Sequence, residues 1–204
     1  VWVYRLGKVG GRLQPEILLL GGIAINFMLA AFIGYFTYLS TDEQLRSITF
    51  WNLGSLAGSS WHSVGVVAPF VAVALLGLPL LARQLNLLLL GEREASHLGV
   101  QVHQLQRLLI VLVTLSVCSS VAFVGNIGFV GLVVPHLLRM GGGPDHRKLM
   151  PGSAMLGAVL LLLADTVART VVAPSELPIG ILTASIGGPF MLFLILRMRR
   201  RRLL

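Results

Sequence analysis

Leu87 to Val100 reads LLLLGEREASHLGV, a charged interruption between two long apolar runs. The flanking runs are apolar enough for lipid, whereas Glu92, Arg93, Glu94 and His97 require water. Leu88, Ala95 and Leu98 recur near helical spacing, polar residues fill the opposite side, and Gly99 is placed to end a helix. The stretch therefore predicts a short, shaped helix at a membrane surface. Such a segment either satisfies solvent or offers itself to another protein, and charge pattern alone does not separate the two.

Composition fixes the class on either side of it. Of 204 residues, 55% are hydrophobic and only 12% charged, with a mean hydropathy of +0.85. That is more apolar surface than a water-facing fold can hide. The fold class is all-α, a polytopic transmembrane helical bundle. A net charge of +8 would raise nucleic acid as a partner in a soluble protein. Here the basic residues cluster at the ends of apolar runs, the last cluster being Arg197 with Arg199 to Arg202, as orientation in a bilayer requires. Cys118 stands alone inside an apolar run and has no intrachain partner.

Six membrane segments follow by length, since about 20 apolar residues cross roughly 30 Å of hydrocarbon. They cover 17–39, 64–81, 108–124, 129–140, 154–172 and 179–196, the fourth being short, with Pro135 and His136 inside it. The loop 40–63 carries Trp51 and Trp61, suited to a membrane boundary, and its middle, 48–56, reads as an interfacial helix. Residues 125–128 form a tight turn and 141–151 a polar link. The chain opens at Val1 in a basic stretch without a signal-peptide pattern, which reads as the C-terminal portion of a longer protein. With Val1 on the cytoplasmic side, every lysine and arginine except Arg46 and Arg169 falls on that side. Both chain ends and the 87–100 stretch are then cytoplasmic.

Several other features bear on chemistry. No G-x-x-x-x-G-K-[ST] loop occurs, so this chain cannot cradle nucleotide phosphates in the usual way, and if transport is driven by ATP the hydrolysing chain is separate. Ser55, Ser59, Ser60 and His62 lie close together in sequence, but nothing supplies the third member of a triad or an oxyanion hole. No catalytic residue and no metal site is assigned. Asp165 and Arg169 share a helical face, either as a mutually satisfied pair or as a functional one. His136 is a candidate haem ligand set against a hydrogen-bonded structural histidine, and His62 is equally ambiguous.

Ile127 to Met140 (IGFVGLVVPHLLRM), Gly143 to Thr170 (GPDHRKLMPGSAMLGAVLLLLADTVART) and Glu176 to Phe190 (ELPIGILTASIGGPF) resemble three consecutive blocks of the FecCD-type permeases. Asp42 to Trp61 (DEQLRSITFWNLGSLAGSSW) and GEREASHLGV extend the resemblance over nearly the whole chain. Those proteins are membrane subunits of ATP-binding cassette (ABC) importers for iron–siderophores, haem and cobalamin. The resemblance implies a permease domain over 1–204 supplying the last six of ten helices, with a cytoplasmic coupling region near 84–106. It implies partners: a second permease copy in a homodimer, a cytoplasmic ABC ATPase dimer that holds ATP and Mg, and a substrate-binding protein. No cofactor is expected on this chain, and its place is the bacterial inner membrane.

Carried over by position, Gly91, Glu92, Ala95, Leu98 and Gly99 correspond to the ATPase-coupling loop. Arg169 resembles an outer arginine that pairs with the docked binding protein, and Gln14, Pro15 and Glu16 fall where the family places a cytoplasmic gate. The residues at the gate position differ in character from the small hydroxyl residues of cobalamin permeases. Resemblance of TFWNLGSLAGSSW and LPIGILTASIGGPF to haem-type members favours haem as cargo, then siderophore, then cobalamin. Two rivals remain: a secondary transporter driven by an ion gradient, which would need Asp165 to bind the ion, and a non-transporting scaffold.

Overall fold

The computed structural model describes residues 8–9, 12–13, 15–172 and 177–202, with side chains from 16 to 172 and 177 to 196. Two two-residue strands, Lys8–Val9 and Arg12–Leu13, pair antiparallel. Nine helices follow among the described residues: α1 (Pro15–Leu39), α2 (Asp42–Leu53), α3 (Trp61–Leu80), α4 (Ala82–Leu88), α5 (Glu92–His97), α6 (Val102–Val124), α7 (Val130–Gly142), α8 (His146–Val171) and α9 (Ile179–Arg202). The all-α polytopic class holds. The chain divides between Thr49 and Phe50 into two compact units.

In the first unit, α1 is apolar all round, and Leu20, Phe27, Met28 and Phe36 are all exposed. A helix with no polar stripe is made for lipid or for burial among other helices. Thr37 and Ser40 donate to the carbonyls of Ile33 and Phe36, which keeps two hydroxyls satisfied inside an apolar segment. Thr41 N–H then donates to Gln44 Oε1, closing the turn that starts α2.

In the second unit the helices share two ends, which side-chain contacts identify. At one end, Asn86 of α4 meets Asp145 and His146 at the start of α8. At the other, the carboxyl end of α2 is stitched to the end of α6: Ser55 N–H donates to Val124 O at 2.9 Å, and the Trp51 carbonyl accepts from Gly54 and Asn126. Gly180, in the first turn of α9, lies against the Leu53 carbonyl, so a Cβ there would collide with backbone.

Among the described residues, five helices are long and apolar enough to cross a membrane: α1, α3, α6, α8 and α9. The fourth expected segment is α7, whose 13 residues rise only about 20 Å. It nevertheless returns the chain from the Asn126 end to the Asp145 end. The turn preceding it is sharp, with Phe129 at φ 67° and its Cβ against Gly187 of α9.

Several boundaries differ from the sequence expectation, α6 for instance beginning at Val102 rather than 108. The link 141–151 is helical from His146 onward, because the Asp145 carboxylate caps α8 by accepting from Arg147 N–H at 3.0 Å. The interfacial helix expected over 48–56 begins earlier, at Asp42, where Asp42 and Glu43 complement the helix N-terminus. Pro69, Pro79, Pro135, Pro151 and Pro189 all sit inside helices. Such prolines persist in membrane helices where neighbours and local adjustments cover the freed carbonyls.

Candidate functional site

The short helix expected from LLLLGEREASHLGV is α5. Gly91 at φ 113° opens it and Gly99 at φ 87° closes it, both in backbone conformations that a side chain disfavours. Six residues are too few for a helix to persist alone, so its shape must come from packing. Ala95 is 0% exposed and forms the base of a small apolar core with Val100, Val102 and Leu105. Leu81, Leu87, Leu88 and Leu109 pack against that core from α4, its flanks and α6. Val100 N–H donates back to the Ala95 carbonyl at 3.0 Å, folding the exit turn under the helix.

The opposite face of α5 is open. Leu98 is 59% exposed, and Glu92, Arg93, Glu94, Ser96 and His97 are exposed as well. Glu92 Oε1 accepts from Gln106 Nε2 of α6 at 3.0 Å, which steadies the first turn. The five residues expected to act together therefore divide. Ala95 is a buried anchor, Gly91 and Gly99 set the bends, and Glu92 and Leu98 belong to the presented face.

Asp165 and Arg169 meet near the far end of α8: Arg169 Nε donates to Asp165 Oδ2 at 2.9 Å. Arg169 is 44% exposed and Asp165 21%. All the other arginines and lysines with described side chains in this unit are attached to α4–α6, the end of α7 or the start of α8. Pro15 opens α1 and Glu16 is exposed in its first turn; Gln14 lies outside the described residues.

His136 stacks edge-on against Phe190 of α9, with ring centroids 6.4 Å apart. Two of the serines near His62 in sequence make turns: Ser60 Oγ caps α3 by accepting from Ser63 N–H, and Ser55 Oγ accepts from Ala57 N–H. Among the described residues, no three His, Cys, Asp or Glu side chains are grouped so as to hold a metal ion. A cavity of about 280 Å³ lies between α7, α8 and α9, lined almost wholly by apolar groups such as Phe129, Val133 and Leu163. Its buried Thr183 hydroxyl donates to Gly180 O.

Sequence reading missed one cluster. Asn86 Nδ2 donates to Asp145 Oδ1 at 2.6 Å, and Asn86 Oδ1 accepts from His146 N–H at 2.9 Å while lying 2.8 Å from His146 Nδ1. The Asp145 carboxyl is held below the usual carboxylate range, first by the Arg147 N–H it caps and then by Asn86. An amide inside LNLLLL and an aspartate at a helix start were the available signals.

Residues 1–197 match the FecCD transport family. The chain belongs to that family. It is 52% identical over 186 residues to the hemin transport system permease protein HmuU of Yersinia pestis, an alignment covering 91% of this chain and 55% of that protein. Identity is 43% to the cobalamin import system permease protein BtuC of Halobacterium salinarum, covering 95% and 52% of the two chains. It is 40% to the vitamin B12 import system permease protein BtuC of Citrobacter koseri, covering 93% and 57%. Among solved structures, a metal-chelate type ABC transporter in an inward-facing conformation superposes with a TM-score of 0.84 at 38% identity, covering 90% of this chain and 60% of that one. The chain thus spans about half the length of the curated relatives it matches.

Proposed function

We propose that this FecCD-family chain is part of the membrane permease of an ATP-driven importer, that α5 is the contact through which a separate cytoplasmic ATPase drives it, and that the cargo is haem. The observation that carries the proposal is the build of α5: a helix rooted on a buried alanine and presenting Glu92 and Leu98 outward. A helix that only satisfied solvent would need neither the two left-handed glycines nor the private core. On this reading, ATP binding draws two ATPases together, α5 takes up that motion, and the helices switch access from one face to the other. The permease acts as a homodimer in the cell membrane, with the α5 end cytoplasmic, and performs no chemistry on its cargo. Arg169, at the opposite end, receives a substrate-binding protein. Haem is favoured over cobalamin by the higher identity to the hemin permease than to the cobalamin permeases. The gate assigned to Gln14, Pro15 and Glu16 is part of the same proposal.

The ion-driven alternative requires Asp165 to bind a coupling ion. Its pairing with Arg169 near the end of α8 leaves that reading with little to rest on. The test uses the complete transporter in liposomes with its ATPase and haemin-loaded binding protein. ATP hydrolysis stimulated by the loaded binding protein, and lost in Glu92→Ala, is the expected result. Uptake that proceeds without any ATPase, and stops in Asp165→Asn, would overturn the proposal in favour of the ion-driven one.

A further inference from the structure

We infer that Asn86 is a positioning residue that makes α8 move together with the docking helix, linking the ATPase-facing end of the transporter to the end that carries Arg169. This rests on the reading of α5 as the ATPase contact.

The link is built from adjoining pieces. α5 and α4 share one small core, since Leu87 and Leu88 pack on the same buried cluster as Ala95. α4 in turn packs on α8, and at that junction a single side chain serves three atoms. Asn86 Nδ2 donates to Asp145 Oδ1, while Asn86 Oδ1 accepts from His146 N–H and lies against His146 Nδ1. Asp145 Oδ1 is also the acceptor that caps α8 through Arg147 N–H. One planar amide therefore holds both the cap and the first backbone N–H of the helix. An amide both donates to a carboxylate and accepts from an N–H within one rigid group; an alanine would leave both partners without it, and an aspartate would repel Asp145.

From this junction α8 runs continuously for 26 residues, about 39 Å, and reaches Asp165 and Arg169 near its far end. Rigid helices are among the elements that carry coupling between distant sites. A displacement of α5 is passed through α4 to the N-terminus of α8, and so to Arg169. The clamp keeps that junction from slipping.

The geometry also separates two further variants. Asn86→Asp is nearly isosteric and still accepts from His146 N–H, but it replaces the donor to Asp145 Oδ1 by a repelling oxygen. Asp145→Asn is the control, because an amide oxygen at 145 accepts from both Asn86 Nδ2 and Arg147 N–H. The test compares Asn86→Ala, Asn86→Asp and Asp145→Asn in the complete transporter, reading three things: co-purification of the ATPase, basal ATP hydrolysis, and stimulation by haemin-loaded binding protein. Both Asn86 variants are expected to retain the ATPase and its basal rate, and to lose roughly tenfold in stimulation, as breaking a charge-assisted hydrogen bond allows. Asp145→Asn keeps its stimulation. Full stimulation in either Asn86 variant overturns the inference, as does its loss in Asp145→Asn. If Asn86→Ala does not assemble, the inference is overturned unless Asn86→Asp assembles and loses stimulation. A wild-type transporter that never retains an ATPase refutes instead the docking role of α5, and is distinguished from these outcomes by the first reading.

Discussion

Replacing Ala95 with leucine should detach α5 while leaving the bundle intact. Ala95 is fully buried against Val100, Val102 and Leu105, and its carbonyl holds Val100 N–H at 3.0 Å. Three added carbons have no space there, and overpacking of this kind costs about 1–3 kcal/mol. The bundle offers few ways to relax, because α6 is anchored along its length on α3. α5 has only six residues and no stability of its own, so the strain is relieved by lifting it away. A cost near 2 kcal/mol shifts its docked-to-lifted balance by roughly 30-fold. Hydrogen exchange reads that balance directly. The amides of Ala95, Leu98, Gly99 and Val100, bonded to Gly91, Glu94, Ser96 and Ala95, should exchange roughly 30-fold faster if local opening governs them. Amides in the middle of α8 should not change. Unaltered exchange across 91–101, together with unaltered ATPase stimulation, would refute the claim that the buried alanine sets the shape of α5.

Three further outcomes follow from the same geometry. Gly99→Ala places a side chain at φ 87° where no atom blocks it, so its cost is the left-handed backbone alone, about 1–2 kcal/mol; Gly99→Asn should lose clearly less in the same exchange experiment. Asp145 has a folded-state pKa below its ordinary 3.8; its stabilising contribution is complete above that ordinary value and is lost as pH falls through the depressed one. The acid-side decline in thermal stability should therefore be shallower in Asp145→Asn, which keeps the cap. Arg169→Ala removes a partly exposed ion pair, itself worth at most about 1 kcal/mol, and affinity for the binding protein, measured by surface capture on the reconstituted transporter, should fall.

What the sequence revealed and what it hid follow physical lines. The apolar runs of α1, α3, α6, α8 and α9 are long enough that no water-facing alternative competes, and the glycine at 99 marks a helix end through its own backbone freedom. The role of Ala95 was less visible. Its spacing placed it in the coupling pattern, but whether it pointed outward or into a core depended on Val100, Val102 and Leu105, which lie beyond the turn. The Asn86–Asp145 contact joins residues far apart in sequence and leaves no periodicity, so only the fold brings it out. The early start of α8 was in principle readable, since an aspartate directly before a helix is a capping signal, but the polarity of 145–148 masked it as a link.

The central claim is that the exposed face of α5 lies against an ATPase. A benzophenone photocross-linking side chain installed in place of Leu98 in the complete transporter tests this most directly, with the same group in place of Trp61, exposed at the opposite end of α3, as the control. An adduct with the ATPase chain is expected from position 98 and none from position 61. An assembled transporter that gives no ATPase adduct from position 98, or gives one equally from both positions, would contradict the claim.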